Sequence, residues 1–291
     1  MDEAAASPEG PDASEAPGHP EIVRITAPNP GPMTLSGTNT YVVGSSPAWV
    51  IDPGPADEGH IAEVRDVAES RGGIGGVLLT HSHLDHNEGV GMLGAGLAFG
   101  NAEGFDDLAA LMGAGFGELP PALGSGEGEE VGSFLALSTP GHASDHVAYV
   151  LGDGHPRTRT GGDGEVVCFC GDLVLGEGST IVPPAAGGGS LLDYMASLER
   201  LAALGATLLC PGHGPWITDP AAKIAEYAAH RRERERLLLV ALDAGRRSTE
   251  ELLDTAWSDV PASMRPAAGL AMRAHLEKLE AEGRLPGDLE L

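Results

Sequence analysis

Short apolar runs broken by turn residues fill most of the chain, and long amphipathic stretches take over near its C-terminal end. From Glu21 the pattern reads as strands: Ile22 to Ile25, Thr40 to Val43, and Ala48 to Ile51, the last closed by the turn Asp52-Pro53-Gly54. A helix is predicted from about Glu58 to Ser70, with Ile61, Val64 and Ala68 on one face, and another from Tyr194 to Leu204. Three further apolar runs share an ending. Val77 to Leu79 runs into Thr80-His81, Val166 to Cys170 into Gly171-Asp172, and Thr207 to Cys210 into Pro211-Gly212-His213. Strands that each stop at a polar, metal-competent residue predict stacked sheets whose end loops meet at one site, in an α/β protein.

The character changes at Thr218-Asp219-Pro220, where an N-cap residue followed by proline opens a helix running to about Leu242 and stopped by Gly245. Ser248-x-x-Glu251 has the form of a capping box before Leu252, Leu253 and Trp257, and Ala267, Leu270, Ala271, Ala274 and Leu279 stripe a third helix. Three helices ending at Gly283-Arg284-Leu285 suggest a winged-helix-like domain over 219–291, although Pro286 to Leu291 leave little chain for a wing. Residues 1–20, rich in Ala, Pro, Gly, Ser and acid, are expected to form a disordered acidic tail. That leaves 21–218 as the main domain. The Gly-rich stretches 100–130 and 152–165 are placed on the surface.

Composition narrows the class. With 291 residues, 42% of them hydrophobic, the chain can build a proper core. It has no apolar run of membrane-spanning length and no basic region ahead of an apolar one near its start, so a cytoplasmic protein with no membrane partner is expected. The net charge of −26 falls mostly on residues 1–218, which carry −23 against −3 for the remainder. Such a field repels polyanions and disfavours nucleic acid as a partner. Cys168, Cys170 and Cys210 are too few for a disulfide framework and read as buried thiols.

The densest chemistry lies in Thr80-His81-Ser82-His83-Leu84-Asp85-His86, with four metal-ligand side chains in six residues. On an extended segment His81 and His83 project to one side, and Asp85 and His86 follow where the chain bends. Imidazole nitrogen and carboxylate oxygen suit Zn²⁺, with Fe and Mn as alternatives. His60, His155, His230 and His275 have no partner at ligand spacing and read as surface residues. The run His230 to Arg236 alternates arginine and glutamate in the manner of a solvated, ion-paired helix face.

His-x-His-x-Asp-His after an apolar strand resembles the signature of metallo-β-lactamase-fold hydrolases, and the rest of that pattern follows in order: Asp52 in Ile51-Asp52-Pro53-Gly54, His142 in Thr139-Pro140-Gly141-His142, Asp172 in Gly171-Asp172, and His213 in Pro211-Gly212-His213-Gly214. The features behind the core, Gly176 to Thr180, Tyr194 with Ser197-Leu198, then Ala229-His230-Arg231, look like the lactamase-like-protein-2 group with its C-terminal winged-helix-like domain. The resemblance implies a four-layer αββα sandwich and two divalent metal ions. His81, His83 and His142 would hold one ion, Asp85, His86 and His213 the other, with Asp172 bridging and Asp52 supporting a ligand imidazole. Asp85 and Asp172 would then serve the chemistry most directly, with a metal-bound hydroxide as nucleophile. Asn39, Tyr41, His146 and Tyr194 are candidate substrate contacts, each with a packing role as its alternative.

Three functions follow from these readings. A hydrolase of a small acyl substrate (thioester, ester, lactone or lactam) needs only the metal site and a modest cavity. A single-stranded RNA endoribonuclease, an activity known in the resembled group, would need a basic groove that Arg24, Arg65, Arg71, Arg157, Arg159 and Arg200 would have to build. A non-catalytic binding or assembly module using the C-terminal domain is the third, and the complete ligand set argues against it; in the hydrolase that domain is expected to cover one side of the cavity or to form a homodimer contact.

Overall fold

A computed structural model of the protein describes residues 13–94, 99–100, 130–131, 134–151, 165–287 and 289. The expectations for 1–12 and for most of the two Gly-rich stretches lie outside these residues. The described residues divide into two compact units. The first takes those up to residue 100 except 80–82, together with 212–214; the second takes 80–82 and the rest.

In the first unit, β1 (Ser14–Ala16), β2 (His19–Thr26), β3 (Asn39–Val43), β4 (Ala48–Ile51), β5 (Ile74–Leu78) and β6 (Phe99–Gly100) form one sheet in chain order. The first four strands pair antiparallel, whereas β4, β5 and β6 are parallel. A parallel pair needs a crossover, which α1 (Glu58–Ser70) supplies between β4 and β5. Its start is set by Asp57, whose carboxylate accepts from the His60 N–H at 2.8 Å. Its apolar face, Ile61, Val64 and Ala68, packs with Val50 and Val77 in one core, each large side chain contributing about 1.5–3 kcal/mol. Two short helices, α2 (Leu84–Asn87) and α3 (Val90–Leu93), complete the unit.

The second unit carries β7 (Glu130–Val131), β8 (Phe134–Ser138), β9 (Val147–Leu151), β10 (Val167–Gly171) and β11 (Leu208–Pro211), in the order β11-β10-β9-β8-β7. The β10–β11 pair is parallel and α4 (Leu191–Ala203) lies between them in sequence. Then come α5 (Pro220–Asp243), α6 (Thr249–Ala256) and α7 (Arg265–Ala281). Asp219 caps α5, Gly245 follows it at φ 81°, and Ser248 with Glu251 forms the capping box, all as the sequence predicts. The predicted boundary at 219 falls inside a continuous packing unit: Ile224 and Tyr227 of α5 belong to the core beneath β10 and α4, while Leu238, Ala241 and Leu242 belong to the core shared with α6 and α7. No helix of the described residues is long and apolar enough to cross a membrane.

Four expectations need correction. Residues 14–20 are strand and turn rather than tail: β1 pairs with β2 through a tight turn at Pro17-Gly18, with Gly18 at φ 79° and Ala16 buried. Strand pairing satisfies main-chain groups and needs no apolar composition. In α7 the buried face is Ala268, Ala271, Met272, Ala274, His275, Leu276 and Leu279, and Leu270 points outward. His60 and His275 are buried, not surface residues. The helix run from 230 to 236 is no solvated face throughout: Arg236 pairs with Glu233 as expected, but Arg231 is buried and Arg234 reaches Asp259 and the Ala256 carbonyl.

Candidate metal centre

In the first unit Asp85 and His86 stand on α2, and His213 comes from the three-residue segment 212–214. That segment is stitched to the start of β3. The Asn39 N–H donates to the Gly212 carbonyl at 2.8 Å, the Asn39 side-chain amide to the Gly214 carbonyl at 2.9 Å, and Thr38 bridges to His213. The His213 Nδ1 lies 3.1 Å from the Gly37 carbonyl. A carbonyl can only accept, so the proton sits on Nδ1 and the Nε2 lone pair is left available. His86 follows the same logic with a carboxylate, its Nδ1 being 2.9 Å from Asp52 Oδ2. Both Nε2 atoms approach Asp85 Oδ2, at 3.5 Å from His86 and 3.3 Å from His213. The Thr38 hydroxyl donates to that same oxygen at 3.1 Å.

Asp52 is held in place against a steric preference. It sits at φ 48°, in the left-handed region that a non-glycine residue seldom adopts. Its N–H donates to the Leu78 carbonyl at 2.9 Å, and its own carbonyl accepts from the Thr40 hydroxyl at 2.6 Å. His60 stands behind this loop, its Nε2 3.1 Å from the Pro53 carbonyl and 2.8 Å from Thr40 Oγ1. Burial lowers its pKa, which keeps the ring neutral.

The second unit brings His81, His142 and Asp172 together, with one candidate ligand atom from each within 4.8 Å of the others. The His142 Nδ1 lies 2.8 Å from the Ile181 carbonyl and 3.1 Å from Thr180 Oγ1, which again puts the proton on Nδ1. Its Nε2 faces Asp172 Oδ2 at 3.6 Å. His81 Nδ1 contacts the Thr80 hydroxyl at 3.0 Å, and its ring meets His142 edge-on at 5.1 Å between centroids. Two glycines permit the approach. A Cβ on Gly141 would lie 2.4 Å from Tyr194 Cα, and one on Gly171 would lie 2.6 Å from Thr80 Oγ1, both at positive φ. His83 belongs to the first unit and is exposed as the N-cap of α2, with extended backbone at φ −64° and ψ 140°.

Residues 33–213 match the sequence profile of the metallo-β-lactamase superfamily, whose signature the two clusters reproduce in space. The chain belongs to that superfamily. Residues 248–285 match the β-lactamase-associated winged helix domain, so the small helices behind α5 carry a family module as expected. A relative in Drosophila melanogaster, a β-lactamase-like protein 2 homolog, is 32% identical over 279 residues, covering 91% of this chain and 89% of its own length. Another, from Aspergillus fumigatus, named atrochrysone carboxyl ACP thioesterase, is 33% identical over 283 residues, covering 93% of this chain and 76% of its own. Among solved structures, a metallo-β-lactamase family protein from Thermus thermophilus superposes with a TM-score of 0.67 at 24% identity, over 92% of this chain and 95% of that one, which speaks for the fold alone. The architecture is therefore the metallo-β-lactamase fold with its two sheets and helices, plus a C-terminal winged helix domain, and its His/Asp clusters fit a divalent metal site.

In this metallo-β-lactamase-fold protein the four candidate substrate contacts are all buried. Asn39 is spent on the 212–214 segment, and Tyr41 is enclosed within β3. Tyr194 donates its hydroxyl to the Leu173 carbonyl at 2.7 Å, and burial pushes its pKa up to about 12. His146 bonds Thr139 Oγ1 at 2.8 Å, with its ring 5.2 Å from that of His81. The structure adds Thr38, Thr40, Thr80, Thr180 and His60 as supports that the sequence reading overlooked. Only the position of the threonines, directly before or after ligand and loop residues, hinted at them.

Proposed function

We propose that this chain is a binuclear metal-dependent hydrolase acting on a small acyl compound, a thioester ahead of an ester, lactone or lactam. The observation that carries the reading is a shared arrangement of three imidazoles. His86, His142 and His213 each commit Nδ1 to Asp52, the Ile181 carbonyl or the Gly37 carbonyl, and each turns Nε2 to a carboxylate. In this reading His81, His83 and His142 hold one ion, Asp85, His86 and His213 the other, and Asp172 is shared. Nitrogen and carboxylate donors favour Zn²⁺, with Fe and Mn as the alternatives that elemental analysis separates. When bound, such a pair supplies activated water at neutral pH and a Lewis acid for the acyl oxygen.

The chain's own residues orient that chemistry. Thr38 holds Asp85 Oδ2 toward the two Nε2 atoms, and Asp52 fixes the tilt of His86. No thiol competes as nucleophile: the three cysteines are buried, and burial pushes the Cys168 thiol up to about 12 and Cys170 well above its ordinary value. The name of the Aspergillus relative favours a thioester, and the net charge of −26 disfavours RNA. Metal-loaded protein assayed against acyl thioesters, lactones, β-lactams, phosphodiesters and single-stranded RNA is expected to turn over a thioester or lactone fastest. Efficient RNA cleavage lost in His83→Ala, with no acyl turnover, would overturn the substrate assignment.

A further inference from the structure

Arg231, on α5, is only 4% exposed and makes no ion pair with a carboxylate among the described residues. An isolated buried charge is costly, so what satisfies it matters. Its Nη2 donates to the Thr180 carbonyl, and to Ser179 Oγ at 3.2 Å. Its guanidinium lies over the Tyr194 ring, 5.3 Å from the centroid, and that ring is itself fixed through its hydroxyl to the Leu173 carbonyl. Ser179 and Thr180 belong to a segment that reaches the candidate metal centre.

The segment is 179–181. Thr180 is buried, and its hydroxyl together with the Ile181 carbonyl receives the Nδ1 side of His142. The Thr180 carbonyl that Arg231 holds belongs to the peptide unit linking Thr180 to Ile181. That unit is planar and ends at the Ile181 Cα, so holding its oxygen fixes the plane between the Thr180 side chain and the Ile181 residue that carries the second acceptor. We infer that Arg231 is a positioning residue for His142: by clamping the Thr180 carbonyl it fixes the acceptors that keep the proton on His142 Nδ1 and leave Nε2 to the metal. This rests on the reading of His142 as a ligand. It also assigns a task to the helix that leads into the winged helix domain: α5 would reach the centre through one guanidinium, with no residue of its own at the metal.

The test has two arms. In metal-free protein, long-range ¹H–¹⁵N correlation of the histidine rings should show His142 as a single Nδ1–H tautomer, and Arg231→Met should convert it to a mixture or broaden it. Chelator competition on metal-loaded protein should then show the more weakly held ion released about 10- to 100-fold more readily in Arg231→Met, the range expected when a ligand's outer support is lost. Arg231→Lys, which keeps a donor and the charge, should recover part of both effects. Tyr227→Phe is the structural control. It removes another tie from α5, a hydroxyl 3.0 Å from the Leu175 N–H, and should cost stability while leaving the His142 tautomer unchanged. An unchanged tautomer and metal release in a folded Arg231→Met protein would overturn the proposal, as would an equal shift in Tyr227→Phe. If wild-type protein binds no metal, the functional reading fails, while the tautomer arm still decides the role of Arg231.

Discussion

The two candidate ligand clusters are built by different means. In the first unit the imidazole of His86 is backed by a carboxylate, Asp52, which is itself pinned in a left-handed backbone conformation. In the second unit the contacts behind His142 and His81 are with neutral groups, a backbone carbonyl and two threonine hydroxyls. A carboxylate adds negative charge behind the ring and raises its basicity, whereas a carbonyl fixes orientation and little else. The first cluster should therefore bind its ion the more tightly, and the second should depend more on how exactly its loop segments are held.

The largest effect should come from Asp172→Ala, since the proposed scheme shares this residue between both ions. We expect activity to fall by about three orders of magnitude, equivalent to roughly 4 kcal/mol, with the metal content of purified protein falling as well. Retained metal and near-normal turnover would remove Asp172 from the ligand set. Next in size, Asp52→Asn keeps an acceptor and tolerates the left-handed backbone but removes the charge. Chelator titration should show a loss of about 10-fold or more at the tighter ion alone, and an equal loss at both would contradict the contrast between clusters. Asp52→Ala should cost more than Asp52→Asn.

How much of this contrast could be read from the sequence differs between the clusters. His81, His83, Asp85, His86, Asp52, His142, Asp172 and His213 are legible as candidates, because a side chain suited to binding metal has a restricted identity and a fixed place in the family motif. The groups behind them are not. The partners of His142 and His213 include the carbonyls of Ile181 and Gly37, and a carbonyl is present at every position, so it leaves no mark. Arg231 was hidden for a related reason. It sits among arginines and glutamates at helical spacing, three and four residues apart, and only its packing shows that it faces inward. β1 and its turn into β2 escaped notice because main-chain pairing does not need the apolar residues by which the strand at Ile22 to Ile25 was recognised.

Smaller effects sharpen the boundary between ligand and support. His146→Ala should leave both ions bound and cost about 1–2 kcal/mol in urea unfolding, since it removes one buried hydrogen bond to Thr139. Loss of an ion in that variant would bring His146 into the ligand set. Away from the centre, His275 is buried on α7, and burial followed by the nearby Arg231 and Lys278 charges lowers its pKa to about 3. The unfolded chain then binds the extra proton, so stability is fully present above about pH 6.5 and is lost toward pH 3, at up to about 1.4 kcal/mol per pH unit. His275→Leu should flatten that slope in denaturant titrations, and an unchanged slope would place the acid sensitivity elsewhere.

Metal stoichiometry tests the central claim most directly. After careful reloading and removal of excess ion, elemental analysis of the intact protein should give two divalent ions per chain, one released by mild chelation before the other. A single ion under the same conditions would contradict the binuclear reading and reduce one of the two clusters to a hydrogen-bonded histidine network.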